Sequence, residues 1–175
     1  MNIILIGFAS SGKTTSATVL SEITSIPHID LDREIESLYG KKNHRKLTIR
    51  EIFKEIGKEA FILLENETLQ NLQGTKSRII STGGHAPLDP QNRILLRNLG
   101  KIVYLKVGPQ KLFERMSEKG LPASIRDGKE GLIREWHYRD PIYTKLSDFI
   151  IDNELLTPEE TAREILCLYT LCRAE

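Results

Sequence analysis

The residues most able to do chemistry in this chain are Gly7-Phe8-Ala9-Ser10-Ser11-Gly12-Lys13-Thr14, followed by Thr15. They satisfy G-x-x-x-x-G-K-[ST] at every fixed position. Glycines let such a loop curl so that successive backbone N–H groups point inward. A helix that follows adds its free N–H groups and its positive end. Lys13 then sets a charge beside the β- and γ-phosphates of a nucleoside triphosphate, and the Thr14 hydroxyl can hold Mg2+. Gly7, Ser10, Ser11, Gly12, Lys13, Thr14 and Thr15 are the expected ligands of the nucleotide.

A second group is the carboxylate pair Asp30 and Asp32. An i, i+2 spacing on extended chain puts both on one side. Beside a triphosphate one carboxylate can help position Mg2+, usually through water, and the other can accept a hydroxyl proton from an acceptor. Asp32 also has the position to cap the helix it opens. A third group is Gly83-Gly84-His85, with backbone N–H groups free to face a ligand. Arg115, Arg126 and Arg139 carry guanidinium forks that match phosphate and carboxylate geometry. A guanidinium in a lid, as at Arg126, can neutralise charge as a phosphoryl group moves.

The elements that must position these groups follow from hydrophobic pattern and caps. NIILIG reads as a strand buried on both faces, and residues 13–23 as a helix. Residues 26–30 form a short strand. Thr48 to Glu51 has the form of a capping box, and residues 59–71 give a helix. A strand at 78–82 breaks at Gly83-Gly84. Asp89-Pro90 caps a helix that ends at Gly100. A strand at 101–107 and a helix after Pro109 come next. Residues 119–130 read as a mobile loop, and a helix lies near 131–144. A last strand spans 148–152, and Thr157 to Glu160 is a second capping box. Strands alternating with helices predict an α/β fold, a doubly wound parallel sheet of five strands with helices on both faces. Ligands in such sheets sit past the carboxyl ends of the strands.

The totals limit the alternatives. A chain of 175 residues suits one domain, and 39% hydrophobic with 28% charged residues is an ordinary globular composition. A formal net charge of +1 makes no global case for nucleic acid. The basic run at 41–46 reads as a solvated loop. No N-K-x-D motif is present to read guanine. The N-terminal apolar run is far too short for a bilayer. Cys167 and Cys172 match no metal spacing and read as buried or half-exposed thiols of a cytoplasmic protein.

Together these segments resemble the shikimate kinase family, small P-loop kinases built like the nucleoside monophosphate kinases. The likeness runs over about residues 2–170. It is carried by GFASSGKTT, IDLDREIE, TIREIFKEIGKEAF, STGGHAPLDPQNRILL and RDPIYTKLSDFIID. The resemblance implies a three-layer α/β/α P-loop fold forming a single kinase domain over 1–175. It implies a substrate-binding helical segment at about 33–61 and a mobile lid at about 117–130. It implies ATP and Mg2+ as cofactors and transfer of the γ-phosphoryl group to the shikimate 3-hydroxyl. By position, Lys13 and Thr14 would serve phosphate and metal, Asp30 would lie near the metal, and Asp32 would engage the acceptor hydroxyl. Gly83 and Gly84 would line the acceptor pocket, Arg139 would grip the acceptor carboxylate, and Arg115 would lie beside the adenine. A monomer with no nucleic-acid or membrane partner is expected.

The chain departs from the family at four places. Ile62 stands where the family has an arginine for the shikimate carboxylate, and His85 where it has a third glycine. Gly120-Leu121-Pro122-Ala123 replaces a lid segment with an arginine, leaving Arg126 as the nearby substitute. Glu154-Leu155-Leu156-Thr157 replaces a loop with an adenine-side arginine. His85 either reshapes the pocket or donates a hydrogen bond in place of the missing arginine. Two alternatives stay open: a kinase of this fold with another small hydroxylated acceptor, and a nucleotide-binding module without turnover.

Overall fold

A computed structural model describes residues 1–117 and 128–171. Residues 118–127 of the lid expected at about 117–130, Arg126 among them, lie outside the described residues, as does Cys172. Five strands make one parallel sheet: β1 (Asn2–Ile6), β2 (His28–Asp30), β3 (Ile79–Ser81), β4 (Gly100–Lys106) and β5 (Phe149–Asp152), in the order β2-β3-β1-β4-β5. The doubly wound expectation holds. β1 lies at the centre, pairing Ile3 with Ile79 on one side and Ile4 with Ile102 on the other. Its side chains alternate between two cores: Ile4 and Ile6 face one, Ile3 and Leu5 the other. Both faces are covered, which is why the strand has no polar alternation.

The helices are α1 (Lys13–Thr24), α2 (Leu31–Asn43), α3 (Ile49–Asn71), α4 (Pro90–Leu99), α5 (Pro109–Ser117), α6 (Gly128–Leu146) and α7 (Pro158–Leu171). A 3-10 turn at Ala86–Leu88 follows β3 and carries no sequence signal of its own kind. The Thr48 capping box forms, with Glu51 Oε2 accepting from Thr48 N at 2.8 Å and Oγ1 at 2.7 Å. Asp89 caps α4 by accepting from Asn92 N at 2.9 Å.

The separate helices expected from the Thr48 capping box and at 59–71 are present as the two stretches of α3, divided at Gly57, whose φ of 77° only glycine adopts readily. Three local expectations need correction. The cap of α2 is Asp30, which accepts from Asp32 N at 3.1 Å, so the Asp32 carboxylate is released from that duty. Lys41, Lys42 and Asn43 belong to the last turn of α2 rather than a loop, where cations suit the helix dipole. Cys167 is exposed, because it lies on the outer side of α7 while Ile165 and Tyr169 face the core. Among the described residues no helix is long and apolar enough to cross a membrane.

Candidate active site

The loop from Gly7 to Gly12 leaves the central strand and enters α1. Gly7 (φ 147°), Ser10 (φ 62°) and Gly12 (φ 95°) all hold positive φ, so the loop curls back on itself. A β-carbon at Gly7 would meet Leu105 O and Ser11 Oγ, each at 2.8 Å. Position 7 therefore admits no side chain. Gly12 offers α1 no side-chain cap, which leaves the first N–H groups of that helix available to an anion. Ser11 Oγ is buried without a hydrogen-bond partner. A curled loop, an uncapped helix start and an orphaned hydroxyl together fit a bound phosphate chain.

Lys13 is buried, and its Nζ donates to Gly7 O at 2.9 Å and Phe8 O at 2.6 Å. Burial pushes its pKa down to about 8, against the opposing pull of Asp32 and Asp30. Thr14 and Thr15 are exposed on the first turn of α1. Thr14 Oγ1 donates to Asp30 Oδ2 at 3.2 Å. A hydroxyl and a carboxylate so placed are the oxygen donors that Mg2+ takes beside water and phosphate.

Asp32 follows at the end of β2, half-buried against Gly83. Burial first, and then the Asp30 charge, raises its pKa to about 6, with Lys13 pulling it down. Gly84 lies over the phosphate loop, where a β-carbon would be 3.2 Å from Ala9 N. Its carbonyl accepts from the Tyr143 hydroxyl. The Tyr143 ring stands edge-on to Phe8 at 5.5 Å, and the Arg139 guanidinium lies over the Phe8 ring at 5.4 Å. Arg139 and Tyr143 are i, i+4 on α6, so one helix face ties the phosphate loop to the end of β3.

Arg139 is buried and donates through Nε to Glu135 Oε2 at 2.8 Å. Its Nη2 meets His85 Nε2 at 3.0 Å. A guanidinium can only donate, so Nε2 accepts and the His85 proton sits on Nδ1. Burial lowers the His85 pKa to about 4, helped by Arg139 and Lys58 and opposed by Glu135. The imidazole is neutral near pH 7. Asp32, Gly83, Gly84, His85 and Arg139 thus form one continuous wall beside the phosphate loop.

Arg115 sits apart from that wall. It donates to Asn153 O at 3.1 Å and Glu154 O at 3.0 Å, with a longer contact to Ser10 O at 3.4 Å. It thereby joins α5 to the phosphate loop and to the loop after β5. The exposed Leu155 stands in the same loop.

Sequence reasoning missed two residues. Asn153 is buried just past β5, and its Nδ2 donates to Ser11 O at 2.7 Å while Oδ1 accepts from Thr161. Its place past a strand end was the available signal. Glu65 is buried on α3, and Oε2 accepts from Asn92 Nδ2 at 2.6 Å. A carboxylate on the helix face that carries Phe61, Thr68 and Leu69 was the clue there.

The comparisons with known proteins agree with this geometry. The family model described as shikimate kinase matches residues 9–169. The shikimate kinase of Caldicellulosiruptor saccharolyticus is 34% identical over 170 residues, spanning 96% of this chain and 95% of that protein. A solved shikimate kinase from Acinetobacter baumannii in complex with shikimate superposes with a TM-score of 0.86 at 29% identity, covering 99% of this chain and 95% of that one. The shikimate kinase from Aquifex aeolicus gives a TM-score of 0.76 at 31% identity, covering 99% of each chain. With its phosphate loop, its Asp32 wall and these likenesses over nearly its whole length, the chain belongs to the shikimate kinase family.

Proposed function

We propose that this chain transfers the γ-phosphoryl group of ATP to the 3-hydroxyl of shikimate, giving shikimate 3-phosphate and ADP. The observation that carries the reading is that Gly83 abuts the Asp32 carboxylate while Gly84, the next residue, lies against the phosphate loop that Lys13 binds through Gly7 O and Phe8 O. The loop N–H groups and Lys13 hold the β- and γ-phosphates. Thr14 Oγ1 and Asp30 would hold Mg2+, which would supply neutralisation of phosphate charge. Asp32 orients the 3-hydroxyl and takes its proton as the hydroxyl oxygen bonds to the γ-phosphorus. The bond from that phosphorus to the β,γ-bridging oxygen breaks, and the electron pair leaves with ADP. Gly83 and Gly84 keep the wall thin enough for the acceptor to approach Asp32, and Arg139 faces its carboxylate. Arg115 borders the adenine. The acceptor carried by the Acinetobacter baumannii enzyme supports the choice of shikimate. On this reading the chain works as a single-domain monomer in the cytoplasm.

The test is ADP release from Mg-ATP with and without shikimate, beside a panel of other hydroxy acids, sugars and nucleoside monophosphates. Stimulation by shikimate alone is expected. Turnover with another acceptor and none with shikimate would overturn the substrate and make Ile62 the reason. ATP binding without turnover on any acceptor would favour a nucleotide-binding module.

A further inference from the structure

A guanidinium takes a carboxylate in two parallel hydrogen bonds along one of two edges, Nε with Nη2 or Nη1 with Nη2. Nη2 belongs to both edges and carries two hydrogens. In Arg139 both of them have a partner. Glu135 Oε2 accepts from Nη2 and also from Nε, the latter at 2.8 Å, and His85 Nε2 accepts from Nη2 at 3.0 Å. An incoming carboxylate finds neither edge of this fork open while both partners stay.

The two partners differ in charge. His85 is neutral near pH 7, so it fills a hydrogen-bonding place without matching the guanidinium charge. Glu135 is the ion-pair partner of Arg139 among the described residues. The two are i, i+4 on α6 with the glutamate on the N-terminal side, the orientation that suits a helix. Burial separates this pair from an ordinary surface pair. The Arg139 side chain is 7% exposed and that of Glu135 37%. A buried cation left without its counter-charge is strongly unfavourable, so the empty site depends on Glu135. The open side of Glu135 also lets its carboxylate withdraw into solvent when another carboxylate arrives. Arg139 has no such freedom, with its guanidinium packed over the Phe8 ring at 5.4 Å.

We propose that Glu135 is an internal rival of the acceptor carboxylate: it occupies the Arg139 fork in the empty site and must yield it before an acidic acceptor binds. The proposal deepens the shikimate reading above and rests on it. Two carboxylates on one buried guanidinium would leave a net negative charge in a wall that already contains Asp32, so occupancy of the fork is exclusive. The apparent affinity for an acid is then the intrinsic one reduced by the fraction of molecules whose fork is open. An uncharged acceptor makes no claim on the fork and escapes that reduction. Glu135 thereby sets how strongly the site prefers an acid.

The test compares shikimate with its methyl ester, which keeps every ring hydroxyl and loses the charge, in the wild type, Glu135→Gln and Glu135→Asp. Wild-type turnover of shikimate is measured first, and its absence would overturn both the reading beneath and this proposal. With turnover present, Glu135→Gln is expected to lower the KM for shikimate about three- to tenfold, as a partly exposed rival charge is removed. The KM for the ester and for ATP should stay near the wild-type values. The Tm should fall, because the buried Arg139 loses its counter-charge. A change that merely loosened the wall would lower the Tm and raise the KM for acid and ester alike. Glu135→Asp keeps the charge and shortens the reach, so it should lower the KM for shikimate by less, and it decides in place of Glu135→Gln if that variant does not fold. A KM for shikimate that rises or stays put would overturn the proposal while leaving the reading beneath intact, and a rise would make Glu135 the residue that aims Arg139. Equal falls for acid and ester would overturn it too, because the effect would then not depend on the acceptor charge.

Discussion

A β-carbon on Gly83 would stand 2.6 Å from Asp32 Oδ1. The glycine lies just past β3 and the carboxylate in the first turn of α2, just past β2, and the absent side chain of one makes room for the other. Position 83 has no positive φ, so the need for glycine is steric rather than conformational. Gly83→Ala should fold normally and push the carboxylate aside. A displacement near 1 Å at a reacting group costs about 10²-fold. Turnover should therefore fall by about 10- to 100-fold with little change in Tm, read by steady-state kinetics beside a thermal melt. Wild-type turnover in this variant would show that Asp32 does not act from this position.

The pH profile should follow Asp32 and Lys13. Asp32 must be ionised to take a proton, and its pKa is about 6. Lys13 must be charged to hold phosphate, and its pKa is about 8. The kcat/KM for the free enzyme should rise through about 6 and fall through about 8. Loss of the acid limb in Asp32→Asn, on whatever turnover remains, assigns that limb to Asp32.

Asp32→Asn separates chemistry from stability. Removing a general base costs about 10²- to 10⁴-fold in turnover, with ATP affinity nearly kept. The folded chain holds the Asp32 proton more tightly than the unfolded chain, whose carboxyl has the ordinary value of 3.8. Wild-type stability is then full below pH 3.8 and declines as pH rises through about 6. Asparagine removes that decline. The variant should be more stable than the wild type at pH 7, by no more than ~2 kcal/mol because the residue is partly exposed. Equal melting at pH 7 would mean that the site does not strain this carboxylate.

The phosphate loop was legible because its residues are consecutive and each obeys a backbone requirement. Asp30 and Asp32 were legible as a pair, but not their division of labour: either could cap α2, and only the direction of β2 into the helix assigns the cap to Asp30. The strands and caps were legible from local pattern. Asn153 was not, because its partner Ser11 lies 142 residues away and no local rule relates them. Glu65 was hidden for a related reason. A glutamate in a helix reads as solvated until tertiary packing buries it beside Asn92.

Asn153 offers a structural counterpart to the catalytic variants. Its amide braces Ser11 O from outside the phosphate loop, and a β-carbon at Gly12 would already touch that amide at 3.0 Å. Asn153→Ala leaves the Ser11 carbonyl without its amide donor, while the Thr161 hydroxyl keeps Thr157 O at 2.9 Å, and the orphaned carbonyl costs about 1–3 kcal/mol. The KM for ATP should rise severalfold while that for shikimate stays put, because the brace lies on the nucleotide side. Equal effects on both substrates would mean that the loop and the acceptor wall move as one body.

Glu65 should be a stability group and not a catalytic one. Burial raises its pKa to about 8, with the Asp32 charge adding to the rise and the Asn92 hydrogen bond opposing it. Asp89 faces it as well and pushes in the same direction as Asp32. The folded pKa lies above the unfolded value of 4.5, so the contribution to stability is whole below pH 4.5 and is lost as pH rises through about 8. Glu65→Gln keeps the shape and the hydrogen-bonding reach while removing the titration. The unfolding free energy of the variant minus that of the wild type should therefore grow between pH 6 and pH 9, by an amount on the order of 1–3 kcal/mol. Shikimate turnover at pH 7 should change little, since the wild-type carboxyl is mostly protonated there and glutamine resembles it. A variant that loses turnover at pH 7 without gaining stability at pH 9 would place Glu65 among the reacting groups instead.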